Sequence, residues 1–89
     1  MANFIGGSAY AMVTGVADGY HAVTERTFRT MSRSEMDLFA QELDKHLREV
    51  RGEQPPLEDI PAIQHRSRRI QRLNNAVMIL RAYRQKARS

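Results

Sequence analysis

Between Ser32 and Gly52 the apolar residues recur on one side of a helix. Met36, Phe39, Leu43, Leu47 and Val50 are spaced three, four, four and three residues apart, which keeps them on one face of a 3.6-residue helix. Ala40 falls on that face as a small residue where a neighbour can approach, and Leu38 points to the opposite side. The start is marked by Ser32 and Glu35, which have the spacing of a capping box, with Met31 and Met36 at the flanking staple positions. Gly52 is placed to end the helix. The pattern predicts a helix over residues 33–51.

A second periodic segment follows a stiff linker. Residues 53–59 contain the adjacent prolines Pro55 and Pro56, which cannot continue a helix and favour an extended chain. Pro61 suits a first helical turn, and Glu58 and Asp59 complement the dipole of a helix beginning there. The seam Ile63, Ile70, Leu73, Val77, Leu80 then predicts a helix over residues 60–86, roughly 40 Å long at 1.5 Å per residue. Two long seamed helices joined by a short loop form an antiparallel hairpin. The run Ala76-Val77-Met78-Ile79-Leu80 is apolar all round. Burial on one side does not require that, so a second cover is expected, from residues 1–31 or from another subunit.

The first third supports two readings. As a helix, Val13, Val16, Tyr20 and Val23 share a face, and Ala11, Gly15 and Gly19 form a small-residue stripe. As strands, Asp18-Gly19 is a hairpin turn, and the β-branched Val13, Thr14, Val16, Val23, Thr24 and Thr27 suit a sheet. Glycines at 15 and 19 cost a helix interior roughly 1 kcal/mol each, which tips the balance toward strands. Residues 1–7 read as a loose arm. The fold class expected is mainly α: a long antiparallel helical hairpin carrying a small N-terminal element, either a β-hairpin or a short helix, in one domain spanning residues 1–89.

Composition narrows the function. A chain of 89 residues without cysteine has a marginal core and no disulfide or thiolate metal staple. Oligomerisation or docking is an economical source of further buried surface. The segment before Asp18 is uncharged but lacks a basic start and is diluted by Asn3, Gly6, Gly7, Ser8 and Thr14. It is too short and polar to span a bilayer, so a cytoplasmic protein without a membrane partner is expected. The net charge of +4 is unevenly placed: residues 32–59 hold eight acids and four bases, and residues 60–89 hold eight bases and no acid. Such a division lets the two parts pair with each other or lets the basic part face phosphate.

Candidate chemistry is sparse. His21, His46 and His65 are far apart and lack the helical pairing of a metal site. Gly6-Gly7-Ser8 lacks the Gly-Lys-Ser/Thr end of a phosphate loop. The acids Glu35, Asp37, Glu42, Asp44 and Glu49 alternate with Lys45 and Arg48, the composition of a solvated helix face. No catalytic, metal-binding or cofactor-binding residue is expected, and no enzyme. On the second helix, His65, Arg68, Arg72, Ile79, Tyr83 and Lys86 lie opposite the seam with Arg69 nearby. A basic stripe bearing an aromatic is a phosphate-binding footprint, which makes His65, Arg68, Arg69, Arg72 and Lys86 the candidate phosphate ligands. Arg66 and Arg84 fall on the apolar stripe and are expected to reach the hairpin ends or carboxylates of the other helix. Ala76, Met78, Ile79 and Tyr83 are the candidate protein interface.

Residues 8–50 also resemble the small head–tail joining proteins of tailed phages, the lambda W type. The resemblance rests on Ala9-Tyr10 through Thr14-Gly15, on Thr27-Phe28-Arg29-Thr30, and on Met36-Asp37-Leu38 with Glu42-Leu43. The basic helix beyond residue 60 lies outside it. The resemblance implies a ring-forming connector that bridges portal and tail, resides in the virion and performs no chemistry. The function expected is therefore a non-enzymatic, homo-oligomeric assembly or adaptor protein that also engages another protein. The alternative is a module that binds DNA or RNA through its basic helix.

Overall fold

The computed structural model describes residues 7–88, with side chains through residue 86. Four helices follow one another: α1 (Ala9–Ala17), α2 (Glu25–Arg29), α3 (Arg33–Gly52) and α4 (Ile60–Arg88). No strand occurs among the described residues. The arm expected over residues 1–7 lies, except for Gly7, outside them. The two long helices form the predicted hairpin, and both are capped by local chemistry. At the head of α3, Ser32 Oγ accepts the Glu35 N–H at 3.1 Å and Glu35 Oε1 accepts the Ser32 N–H at 2.8 Å, closing the capping box. At the head of α4, Asp59 Oδ1 accepts the Ala62 N–H at 3.1 Å, satisfying one of the donors that a helix start leaves free.

The N-terminal element is helical, which overturns the strand reading. Asp18-Gly19 ends a helix instead of turning a hairpin. Gly19 adopts φ +86°, its N–H reaches Val16 O at 3.2 Å, and the Tyr20 N–H reaches Gly15 O at 2.8 Å. These two bonds around a left-handed glycine constitute a Schellman cap. Gly15 leaves room for the His21 imidazole, which an added Cβ there would overlap. Burial then outweighs the β preference of the valines: Met12, Val13, Val16 and Ala17 are all buried against the hairpin.

Packing is built around α4. Helix α1 lies against both α3 and α4, and α2 lies against α4. Phe28 of α2 is fully buried, with its ring 5.7 Å from that of Phe39 and 6.0 Å from that of Tyr83. The core joins Met12, Val13, Phe28, Phe39, Leu43, Leu47, Val50, Leu73, Ala76 and Leu80. The second cover expected over residues 76–80 is only partly supplied within the chain: Ala76 and Leu80 are buried in the core, while Met78 stays exposed. The molecule measures 47 × 27 × 18 Å, long in the hairpin direction. Among the described residues no helix is long and apolar enough to cross a membrane.

Candidate functional site

The basic residues of α4 are mostly engaged inside the molecule. Arg72 Nη1 donates to Ala17 O at 3.0 Å. This carbonyl is one that the Schellman cap of α1 leaves unpaired, and a cation is favoured at a helix C-terminus. Arg66 does the same for α3, donating through Nε to Val50 O at 3.1 Å and through Nη2 to Arg51 O at 2.9 Å. Gly52 therefore ends α3 without a left-handed turn. The chain leaves it in an extended conformation at Glu53, and Arg66 supplies donors that a glycine-based cap would have drawn from the backbone. Arg69 pairs with Glu53 at 3.0 Å, Arg84 with Asp37, and Lys86 with Glu25 at 2.9 Å. The Lys86 ammonium bonded to Glu25 holds that carboxyl below its usual range.

Of the five candidate phosphate ligands, Arg69, Arg72 and Lys86 thus have intramolecular partners, while His65 and Arg68 are exposed. Arg68 makes no ion pair among the described residues, and the same holds for exposed Arg81. At 100° per residue Arg68 and Arg81 stand about 140° apart, so they form no stripe. As sequence periodicity anticipates, Arg66 reaches the end of the hairpin and Arg84 a carboxylate of α3.

The candidate interface residues separate by depth. Ala76 is fully buried within the chain, and Ile79 and Tyr83 are half-buried against its own core. Ala76 cannot contact another molecule while α1 and α2 are in place, because they occupy that side. Only Met78 stands out, at 68% exposure. It walls a groove of about 680 Å³ between α3 and α4, whose floor includes Leu43, Leu47, Val77 and Leu80 and whose rim includes Arg51 and Arg81. The groove follows from helix rotation. Arg72 and Tyr83 point toward α1 and α2, and Asn74, Met78 and Arg81 lie roughly 180° to 240° around α4 from Arg72. A hairpin has two flanks; α1 and α2 cover one, and the other is open. On α3, Ala40 marks the open flank, and the sequence signal for it was the small residue on an otherwise bulky seam.

The histidines have separate fates, and no group of three or more metal-ligating side chains occurs among the described residues. His46 is buried between α1 and α3 against the Tyr10 ring, centroids 5.2 Å apart. Its Nδ1 lies 3.0 Å from Glu42 O, which can only accept, so Nδ1 carries a proton. Its Nε2 lies 3.2 Å from Thr14 Oγ1, which is also 2.9 Å from Tyr10 O. One hydroxyl proton cannot serve both neighbours. If it goes to Tyr10 O, the hydroxyl does not donate to Nε2; if it turns to Nε2, Nε2 accepts it. Either way His46, itself buried, joins α1 to α3. His21 packs on Gly15, and His65 faces solvent. No family model, curated protein or solved structure matches this chain.

Proposed function

We propose that the chain is a non-enzymatic assembly or adaptor protein that works as an oligomer and engages another protein through the open α3–α4 flank. The observation that carries this reading is the uncovered groove itself: Met78 is 68% exposed beside the buried side chains of Leu43 and Leu80. Apolar surface left bare on one flank of a small helical protein is a place for a partner. A phage head–tail connector component, located in the virion instead of the cytoplasm, is the form of this function that the resemblance over residues 8–50 suggests. The nucleic-acid alternative draws on fewer residues than its stripe implied, since phosphate would have to compete with Ala17 O, Glu53 and Glu25 for Arg72, Arg69 and Lys86.

Light scattering of the pure chain, with and without nuclease, tests both readings. The adaptor reading expects a mass above one chain that nuclease leaves unchanged, and a smaller, still helical species for Met78→Asp. A mass of one chain at high concentration would remove the oligomer. Binding to duplex DNA at ~50 mM salt, falling with a log–log slope near −3.6 for four phosphate contacts, would establish the alternative instead.

A further inference from the structure

The hairpin carries both halves of a complementary contact at different places on one molecule. One half is its tip. Leu57 is 88% exposed and Ile60 54%. The linker 53–59 holds three acids and no base. Glu53 is taken by Arg69 and Asp59 caps α4, but Glu58 has no partner among the described residues. The tip is also held in shape. The Asp59 N–H closes a turn onto Pro56 O at 3.0 Å, and Arg66 and Arg69 tie α4 to the end of α3 and to Glu53. A partner would therefore meet a preformed apolar knob with a free carboxylate beside it, at little ordering cost.

The other half is the groove. It is concave where the tip is convex, and its floor is aliphatic. Its rim is positive where the tip is negative. Arg81 is exposed and unpaired among the described residues, Arg51 makes only a long 3.4 Å contact to Asn74, and the rim carboxylate of Asp44 is already bonded to Arg48. The unpartnered acid thus stands next to the most exposed leucine, and the unpartnered base next to the exposed methionine. We propose that the groove receives the hairpin tip of a second copy of this chain, with Leu57 seated against Met78 and Val77 and Glu58 against Arg81. The inference rests on the oligomeric reading above and specifies its contact. Complementary charge at this contact also offsets the repulsion that two chains of net charge +4 feel elsewhere.

Sedimentation equilibrium of the full chain and its variants tests the proposal. Leu57→Ser lies on an exposed loop and should leave the circular dichroism unchanged while weakening self-association about 10- to 100-fold, the loss expected for one buried leucine. Glu58→Arg or Arg81→Glu alone should weaken it roughly five-fold or more, and the two together in one chain should recover most of the loss. Because the chain has no cysteine, a mixture of Leu57→Cys and Met78→Cys chains should oxidise preferentially to the mixed dimer. If the wild type associates but Leu57→Ser and Glu58→Arg do so equally well, the tip is not the occupant; the proposal is overturned and the oligomeric reading stands. If the wild type is a single chain at every concentration, both fall.

Discussion

Replacing Arg72 by Met separates a structural arginine from a phosphate ligand. Methionine keeps most of the aliphatic stem and removes every donor and the charge. The lost interaction is the bond from Arg72 Nη1 to Ala17 O at 3.0 Å. The N–H groups of Asp18, Gly19 and Tyr20, which follow α1 directly, are already used by its other three terminal carbonyls. Ala17 is 1% exposed, which limits access of water to its carbonyl. A hydrogen bond to a charged group contributes about 1.5–3 kcal/mol, and leaving a buried acceptor unpaired costs about 1–3 kcal/mol. These describe one event from two sides and do not add. The expected destabilisation is about 1–3 kcal/mol, against a total of roughly 4–13 kcal/mol for a domain of this length. Urea unfolding followed by far-ultraviolet circular dichroism should show a lower midpoint with an unchanged slope. The melting temperature should fall by about 4–8 °C per kcal/mol. Arg68→Met is the matched control, since Arg68 is exposed and makes no ion pair among the described residues, and should stay within about 0.5 kcal/mol of wild type. An Arg72→Met change as small as that of Arg68→Met would refute the capping role and return Arg72 to the pool of available phosphate ligands.

Three further outcomes follow from the same geometry. Gly19→Ala should cost about 1–2 kcal/mol from its left-handed backbone alone, and more in wild type than in the Arg72→Met background, because an added Cβ would sit 2.9 Å from Arg72 Cζ; equal costs in both backgrounds would mean that the two residues are not in contact. Leu43→Ala removes a fully buried side chain shared by the core and the groove floor and should cost about 2–5 kcal/mol, so near-unchanged urea stability would misplace the seam. Lys86 lowers the carboxyl pKa of Glu25, so the stability from this pair is present above the ordinary carboxylate range and is lost as pH falls through the lowered value; Lys86→Met should therefore differ from wild type at neutral pH and converge with it in acid, and a gap that persists in acid would exclude the ion pair as its source.

Local chemistry made the hairpin legible in the sequence. The Ser32–Glu35 box, the Met36-to-Val50 seam and the adjacent prolines act within one or two turns of themselves, so their consequences survive without knowledge of the rest of the chain. The N-terminal element was not legible in that way. Asp18-Gly19 serves a hairpin turn or a helix end equally well, and β-branched residues fit both. What settles it is the burial of Met12, Val13 and Val16 against a hairpin formed later in the chain, with a cap from Arg72, 55 residues away. The same limit applies to the surface. Helical periodicity places Ala76, Met78, Ile79 and Tyr83 on α4, but only the docking of α1 and α2 decides that Ala76 is sealed and Met78 left bare. It also places the arginines of α4 correctly around the helix. A guanidinium, however, donates as readily to a helix-terminal carbonyl or a carboxylate as to a phosphate. Periodicity sets the direction in which each arginine points; which oxygen stands there is a property of the packed molecule.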